Sequence, residues 1–174
     1  VPAAVAPAAP AVKQGPVQIE FTDGVAGSIE FPAGFQQNGK SPEASTAPPI
    51  PKEPGAAVEP ADSIKIQVVK LGQGVVYNNL RSQTINTETQ GAVGGKVLER
   101  GATTIAGQTG EFIVVGIANP GIGAANDSPR KRIVYLVNVP SKHLAVKISA
   151  DMAEANYKTL KDELKKCVRS LKFD

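Results

Sequence analysis

The densest concentration of residues with chemical potential lies in "TTIAGQTGEFIVVGIANPG", Thr103 to Gly121, where glycines punctuate two apolar runs. Glycines after an apolar run can cradle a phosphate, provided that a helix N-terminus follows to supply free amides and a dipole. From Gly121 the order "GIGAAN" is one residue short of the dinucleotide fingerprint, and it leads into "DSPRKRIVYLV", another strand pattern. Upstream, "QGAVGGKV" has Gln90 where a phosphate loop needs its first glycine and Val97 where it needs a hydroxyl for magnesium. Both phosphate readings fail.

Nucleophilic chemistry fares no better. A serine enzyme wants a Gly-x-Ser-x-Gly elbow, or a serine and histidine held by a carboxylate, and no elbow is present. His143 is the only histidine; it falls in "PSKHLAVKIS" at the start of a strand pattern, with Ser141 two residues away on the same face, and reads as a surface residue. Cys167 is the only cysteine and sits among Lys165, Lys166 and Arg169, but beside an apolar stripe, which makes it a small residue at the core edge. One Cys and one His exclude an internal disulfide and a Cys/His zinc site. Glu99, Glu111 and Asp127 fall near strand ends without a spacing that marks any two as an acid/base pair. The sequence therefore predicts no catalytic residue, no cofactor and no metal site.

The elements that would position these residues follow from periodicity. The chain has 174 residues, about one domain's length. Its charge is +3, from 19 basic and 16 acidic residues, with no dense basic stripe and eight aromatic residues, so nucleic acid is not expected as a partner. No apolar run reaches the roughly 18 residues of a membrane span. Residues 1–16, "VPAAVAPAAPAVKQGP", read as an extended Ala/Pro tether, as found after a removed signal peptide in bacterial exported proteins; the alternative is a boundary inside a longer chain. Residues 17–174 read as a single domain, beginning with two short strands in "VQIEFTDGVAGSIEFP" turned at Asp23-Gly24. A proline-rich insert spans 36–62, and "DSIKIQVVKL" restores strand alternation. The region from Val75 to Gly101 carries no clear period. Then "TTIAG", "GEFIVVGIA", "RKRIVYLVNVP" and "HLAVKISA" succeed one another with turn-length gaps, which favours antiparallel pairing.

The last segment changes period. Ala153, Tyr157, Leu160, Leu164, Val168 and Leu171 step by three or four and form one stripe of a helix, with Asp151 and Glu154 placed as a capping box. The fold class expected is α+β: an antiparallel β-sheet packed against a C-terminal amphipathic helix.

The hairpin "VLERGATTIAGQTGEFIVVG" resembles the strand, Gly-x-x-Gly-Glu turn, strand element of the immunity proteins that protect bacteria against type VI secretion lipase effectors. "IEFPAGF" is similar to their opening strand and turn, and the strand ending "ISA" and the helix ending "VRSLKF" extend the likeness to Phe173. The immunity pattern has a second acidic residue where Phe112 stands here. The terminal helix and strand stub also resemble PsbP-like and DcrB-like envelope domains, so the layout implied is a PsbP-like sandwich. The resemblance implies a periplasmic, non-catalytic protein, in many relatives a lipoprotein anchored upstream of the mature segment, that occludes a toxic effector enzyme. The alternative it leaves open is an envelope accessory protein with another protein partner. Partner contacts are then expected from the 36–62 insert and the 119–132 loop, with Asn126 and Asp127 as polar contacts and Arg130 and Arg132 as bidentate partners for carboxylates.

Overall fold

The computed structural model describes residues 14–47, 54, 60–90, 96–117 and 130–174. Strand β1 (Val17–Glu20) and strand β2 (Ala26–Ile29) pair antiparallel with Val17 opposite Ile29, and the turn between them uses Gly24 at φ 74°. Within the proline-rich stretch lie two short strands, β3 (Gln36–Gln37) and β4 (Glu43–Ser45). Strand β5 (Ser63–Lys70) is followed by helix α1 (Tyr77–Gln90), then strands β6 (Lys96–Ile105), β7 (Gln108–Ile117), β8 (Arg130–Val139) and β9 (Leu144–Ala153). Helix α2 (Glu154–Ser170) and strand β10 (Lys172–Phe173) complete the order.

Seven strands form one antiparallel sheet in the order β3-β4-β5-β9-β8-β7-β6, and β1-β2-β10 form a second, small one. The class is α+β, a sheet carrying the C-terminal helix, as the periodicity implied. The first hairpin does not join the large sheet: Gly27 and Ser28 pair with the chain end at Phe173 and Lys172, which clamps the small sheet beside α2. A Cβ at Gly27 would stand 2.2 Å from the Lys172 carbonyl oxygen, so only glycine admits β10 there.

Strand alternation sends Ile64, Ile66, Tyr135, Val137, Val146 and Ile148 to one face of the large sheet, where the main core forms with Ile19 and Ile29 of the small sheet. Helix α2 lays Leu164, Cys167 and Val168 into that core, while Tyr157 and Leu160 of the expected stripe are partly buried at its edge. Cys167 is buried, and its burial pushes the thiol up to about 12.

The expected capping box does not form. Strand β9 runs on to Ala153, so Asp151 remains a strand residue with its side chain bound to Arg132. The carboxylate that accepts hydrogen bonds at the start of α2 is that of Asp62, from the Ala153 N–H at 2.9 Å and from the Asn156 side-chain amide at 2.7 Å, while Glu154 in the first turn pairs with Lys131. A carboxylate at this end of a helix is favoured by the macrodipole.

The opening glycines resolve into a hairpin. Its turn is Ala106-Gly107, both with positive φ (48° and 74°), the mirror-image geometry that matches strand twist. Gly110, expected to serve the turn too, lies within β7: a Cβ there would meet the Leu136 carbonyl oxygen at 2.6 Å and the Ile105 Cδ1 at 2.7 Å. Its role is close approach between strands.

Candidate functional site

The other face of the large sheet is built from the alternate residues of the same strands, and α1 lies across it. The side chains of α1 that are at least partly covered are Tyr77, Leu80, Arg81, Thr84, Ile85, Glu88 and Thr89, the three- and four-residue steps of one helical stripe. Only Leu80 and Ile85 of these are aliphatic. Ile85 packs on Ile113, Val134 and Leu136, a small apolar cluster separate from the main core.

Ion pairs flank that cluster on both sides. On one side Arg81 embraces Glu111 of β7 through two nitrogens, and Arg100 of β6 approaches the same carboxylate at 3.1 Å. Hydrogen bonding from Arg81 outweighs the burial of Glu111 and holds its carboxyl below the usual range. Two guanidiniums on one carboxylate leave a net positive charge there. On the other side Glu88, only 4% exposed, accepts from Arg132 at 3.0 Å and from Lys147 at 3.1 Å. Burial alone would raise the Glu88 carboxyl; the bonds from Arg132 and Lys147 overcome it and the group sits below its ordinary value. Arg132 also grips Asp151 with two nitrogens, at 2.5 and 3.0 Å.

Between these clasps, under the first two turns of α1, is a slot of 120 Å³. Tyr77, Leu80 and Thr84 roof it, and Val69, Leu136 and Ala145 form its floor. Burial, followed by the nearby Glu111 charge, raises the Tyr77 phenol at its edge. The chain enters α1 through Gly72, Gln73 and Gly74, all with positive φ (122°, 50° and 90°). Val69, Val75 and Val76 are exposed before the helix, and Val97 and Leu98 are exposed at the start of β6.

The residues singled out from the sequence fall as follows. Arg132 does hold carboxylates, but those of Glu88 and Asp151 within this chain. Arg130 binds the Pro60 and Ala61 carbonyl oxygens at 3.1 and 3.2 Å and stands 3.8 Å from the Asp62 carboxylate, fastening the end of the proline-rich stretch to the sheet. Asn126 and Asp127 lie outside the described residues. Glu99 and Glu111 point to opposite faces of the sheet, Glu99 to Tyr157 and Lys161 of α2 and Glu111 to Arg81 of α1, so they form no acid/base pair. His143 follows a 3-10 turn with φ 52° and borders a second cleft of 300 Å³ with Lys70, Lys142 and Phe173. Among the described residues, no three His, Cys, Asp or Glu side chains gather as a metal set would. Helix α1 and its clasps are the part that sequence reasoning missed; the signal for it was a polar stripe, Arg81-Ile85-Glu88, rather than an apolar one.

Comparison with known proteins bears on the fold. No family model matches the sequence, and no curated protein matches it. The chain is similar to the crystal structure of LpqN, involved in cell envelope biogenesis of Mycobacterium tuberculosis, with TM-score 0.58 and 13% identity over 91% of this chain and 90% of that one. It is similar to the Saccharomyces cerevisiae Ran-binding protein Mog1p, with TM-score 0.51 and 16% identity over 90% of this chain and 94% of that one. It is also similar to cyanobacterial PsbP (CyanoP) from Synechocystis sp. PCC 6803, with TM-score 0.51 and 12% identity over 90% and 91% of the two chains. At these identities the likeness shows a shared PsbP-like layout and nothing finer.

Proposed function

We propose that this chain is a non-catalytic protein of the bacterial periplasm that works by binding another protein. In its most specific form it is an exported immunity protein that occludes a type VI secretion effector, a lipase being the class implied by the Gly-x-x-Gly-Glu hairpin. One observation carries the binding reading: among the described residues, the large apolar side chains left exposed include Val69, which lines the slot beneath α1, Val75 and Val76, which lead into that helix, and Val97 and Leu98 of the edge strand β6. Apolar patches rimmed by charged groups suit a macromolecular partner. Strand β6 adds a ten-residue edge whose outer side pairs with no other described strand, a template that a partner's strand can extend. Asn126 and Asp127 are proposed as direct contacts; Arg130 and Arg132, already holding internal carbonyl and carboxylate groups, are proposed to fix the start of β8 after that loop. The second reading, an envelope accessory protein of PsbP-like or DcrB-like kind, draws support from the likeness to LpqN and CyanoP.

The test is co-expression with the product of the adjacent gene, followed by co-purification, calorimetry and assay of that product's lipase activity. Stable binding with loss of lipase activity supports the immunity reading. Absence of binding between the purified, folded proteins removes it and leaves the accessory reading.

A further inference from the structure

Resting on the protein-binding reading, we propose that the slot beneath the first two turns of α1 receives a single Leu- or Phe-sized side chain from an acidic segment of the partner. Three observations converge on this occupant. The first is size: 120 Å³ is close to the volume, about 150 Å³, of an apolar protein cavity that admits benzene. The second is lining, since Leu80, Val69, Leu136 and Ala145 offer apolar walls, and Val69 is itself exposed, so part of the approach is apolar as well. The third is charge. Arg81 lines the slot and shares the single carboxylate of Glu111 with Arg100, which leaves one net positive charge on that side of an apolar pocket, while Lys147 on the other side is paired with Glu88. An incoming acidic segment meets that charge while its apolar anchor is desolvated, the combination on which hot spots depend. The helix that roofs the slot presents few aliphatic contacts to the sheet, so a partner's anchor displaces little packing there.

The probes are three blocked tripeptides, N-acetyl-Asp-Phe-Asp-amide, its Asp-Ala-Asp analogue and its Lys-Phe-Lys analogue, titrated into the full 15N-labelled chain. The expected result is a saturable shift of the Leu80, Thr84, Ala145 and Lys147 amides with Asp-Phe-Asp, and affinity at least about tenfold weaker for each analogue. Ala145→Leu fills the slot from the sheet and Thr84→Leu from the helix; whichever retains the wild-type fold by circular dichroism should abolish the shift. Equal affinity for the three peptides, shifts confined to other amides, or undiminished binding in a folded filled variant overturns the proposal. The adjacent gene's product separates this proposal from the reading beneath it. If that product binds the wild type and Ala145→Leu equally, the slot assignment falls and the binding function stands; if it binds neither while Asp-Phe-Asp still occupies the slot, the immunity reading falls and the slot stands.

Discussion

Replacing Glu88 by Ala should detach α1 without unfolding the sheet. The carboxylate is 5% exposed and joins Arg132 to Lys147, so its loss leaves Arg132 with Asp151 but takes from Lys147 its counter-ion beneath the helix. Keeping a largely buried charge without its partner costs about 3 kcal/mol. Against that stand the other contacts of α1. Ile85 and Leu80 are only partly buried and together contribute about 2 kcal/mol, and the Arg81–Glu111 clasp, with Arg81 about a third exposed, contributes about 0.5 kcal/mol after solvent screening. A helix of 14 residues is marginal by itself in water. The lower free-energy state of the variant is therefore one in which α1 lifts and Lys147 is hydrated. Native-state hydrogen exchange reads this directly: α1 amides should exchange about a hundredfold faster, at about 1.4 kcal/mol per tenfold, while β8 and β9 amides change little. Glu88→Gln, which keeps an acceptor and loses the charge, should fall between. If the α1 amides of Glu88→Ala stay as protected as in the wild type while the whole domain loses about 3 kcal/mol, the helix is an integral part of the core and the reasoning is wrong.

Leu164→Ala empties a fully buried site on α2 and should cost about 2 to 5 kcal/mol in denaturant unfolding; a loss well under 1 kcal/mol would mean that α2 does not seat as described. Gly110→Ala forces a Cβ to within 2.6 Å of a carbonyl oxygen and should cost about 1 to 3 kcal/mol, whereas Gly107→Asn, in a turn that tolerates positive φ, should be mild. Glu88 and Glu111 both have carboxyls held below their ordinary value when folded, so their contribution is fully present above the ordinary carboxylate range and is lost as pH falls through the folded values; α1 protection should be flat from about pH 8 to 6 and collapse below about pH 4. Cys167, raised to about 12, should resist iodoacetamide at pH 8 until denaturant unfolds the chain, and rapid labelling of the native protein would show that α2 opens locally.

The strands of the large sheet were legible because each obeys the simplest rule available: alternation for β5, where Ile64 and Ile66 face the core and Lys65 and Gln67 do not, and β-branched runs bounded by turn residues for β7 to β9. Helix α2 was legible for the same reason, a stripe of apolar residues on a polar background. What periodicity does not encode is which sheet a strand joins. Residues 17–29 alternate as well as β5 does, but their partner is β10, two residues long and at the far end of the chain, admitted by the missing Cβ of Gly27. The Asp151 cap misled because a local signature, an acid three residues before Glu154, competes with one distant in sequence; Asp62, just before the neighbouring strand β5, reaches the helix start and leaves Asp151 to Arg132.

The site was hidden for a different physical reason. A helix that docks on an apolar face must repeat apolar residues every three or four positions, and that repeat is what pattern reading detects. Helix α1 docks on a face where strands of a layered sheet alternate Glu111 with Ile113, and Arg132 with Val134 and Leu136, so its complementary stripe is Arg81, Ile85 and Glu88. Charges at these positions look like solvent-facing residues until the strands beneath them are known, because the information lies in the pairing of two distant segments and not in either one. The same construction gives α1 little apolar attachment, and hence makes it readily moved by a partner that supplies its own charge and its own apolar anchor. That links the missed helix to the proposed function: a face held by ion pairs can exchange one set of contacts for another at a smaller net cost than a face held by a packed core.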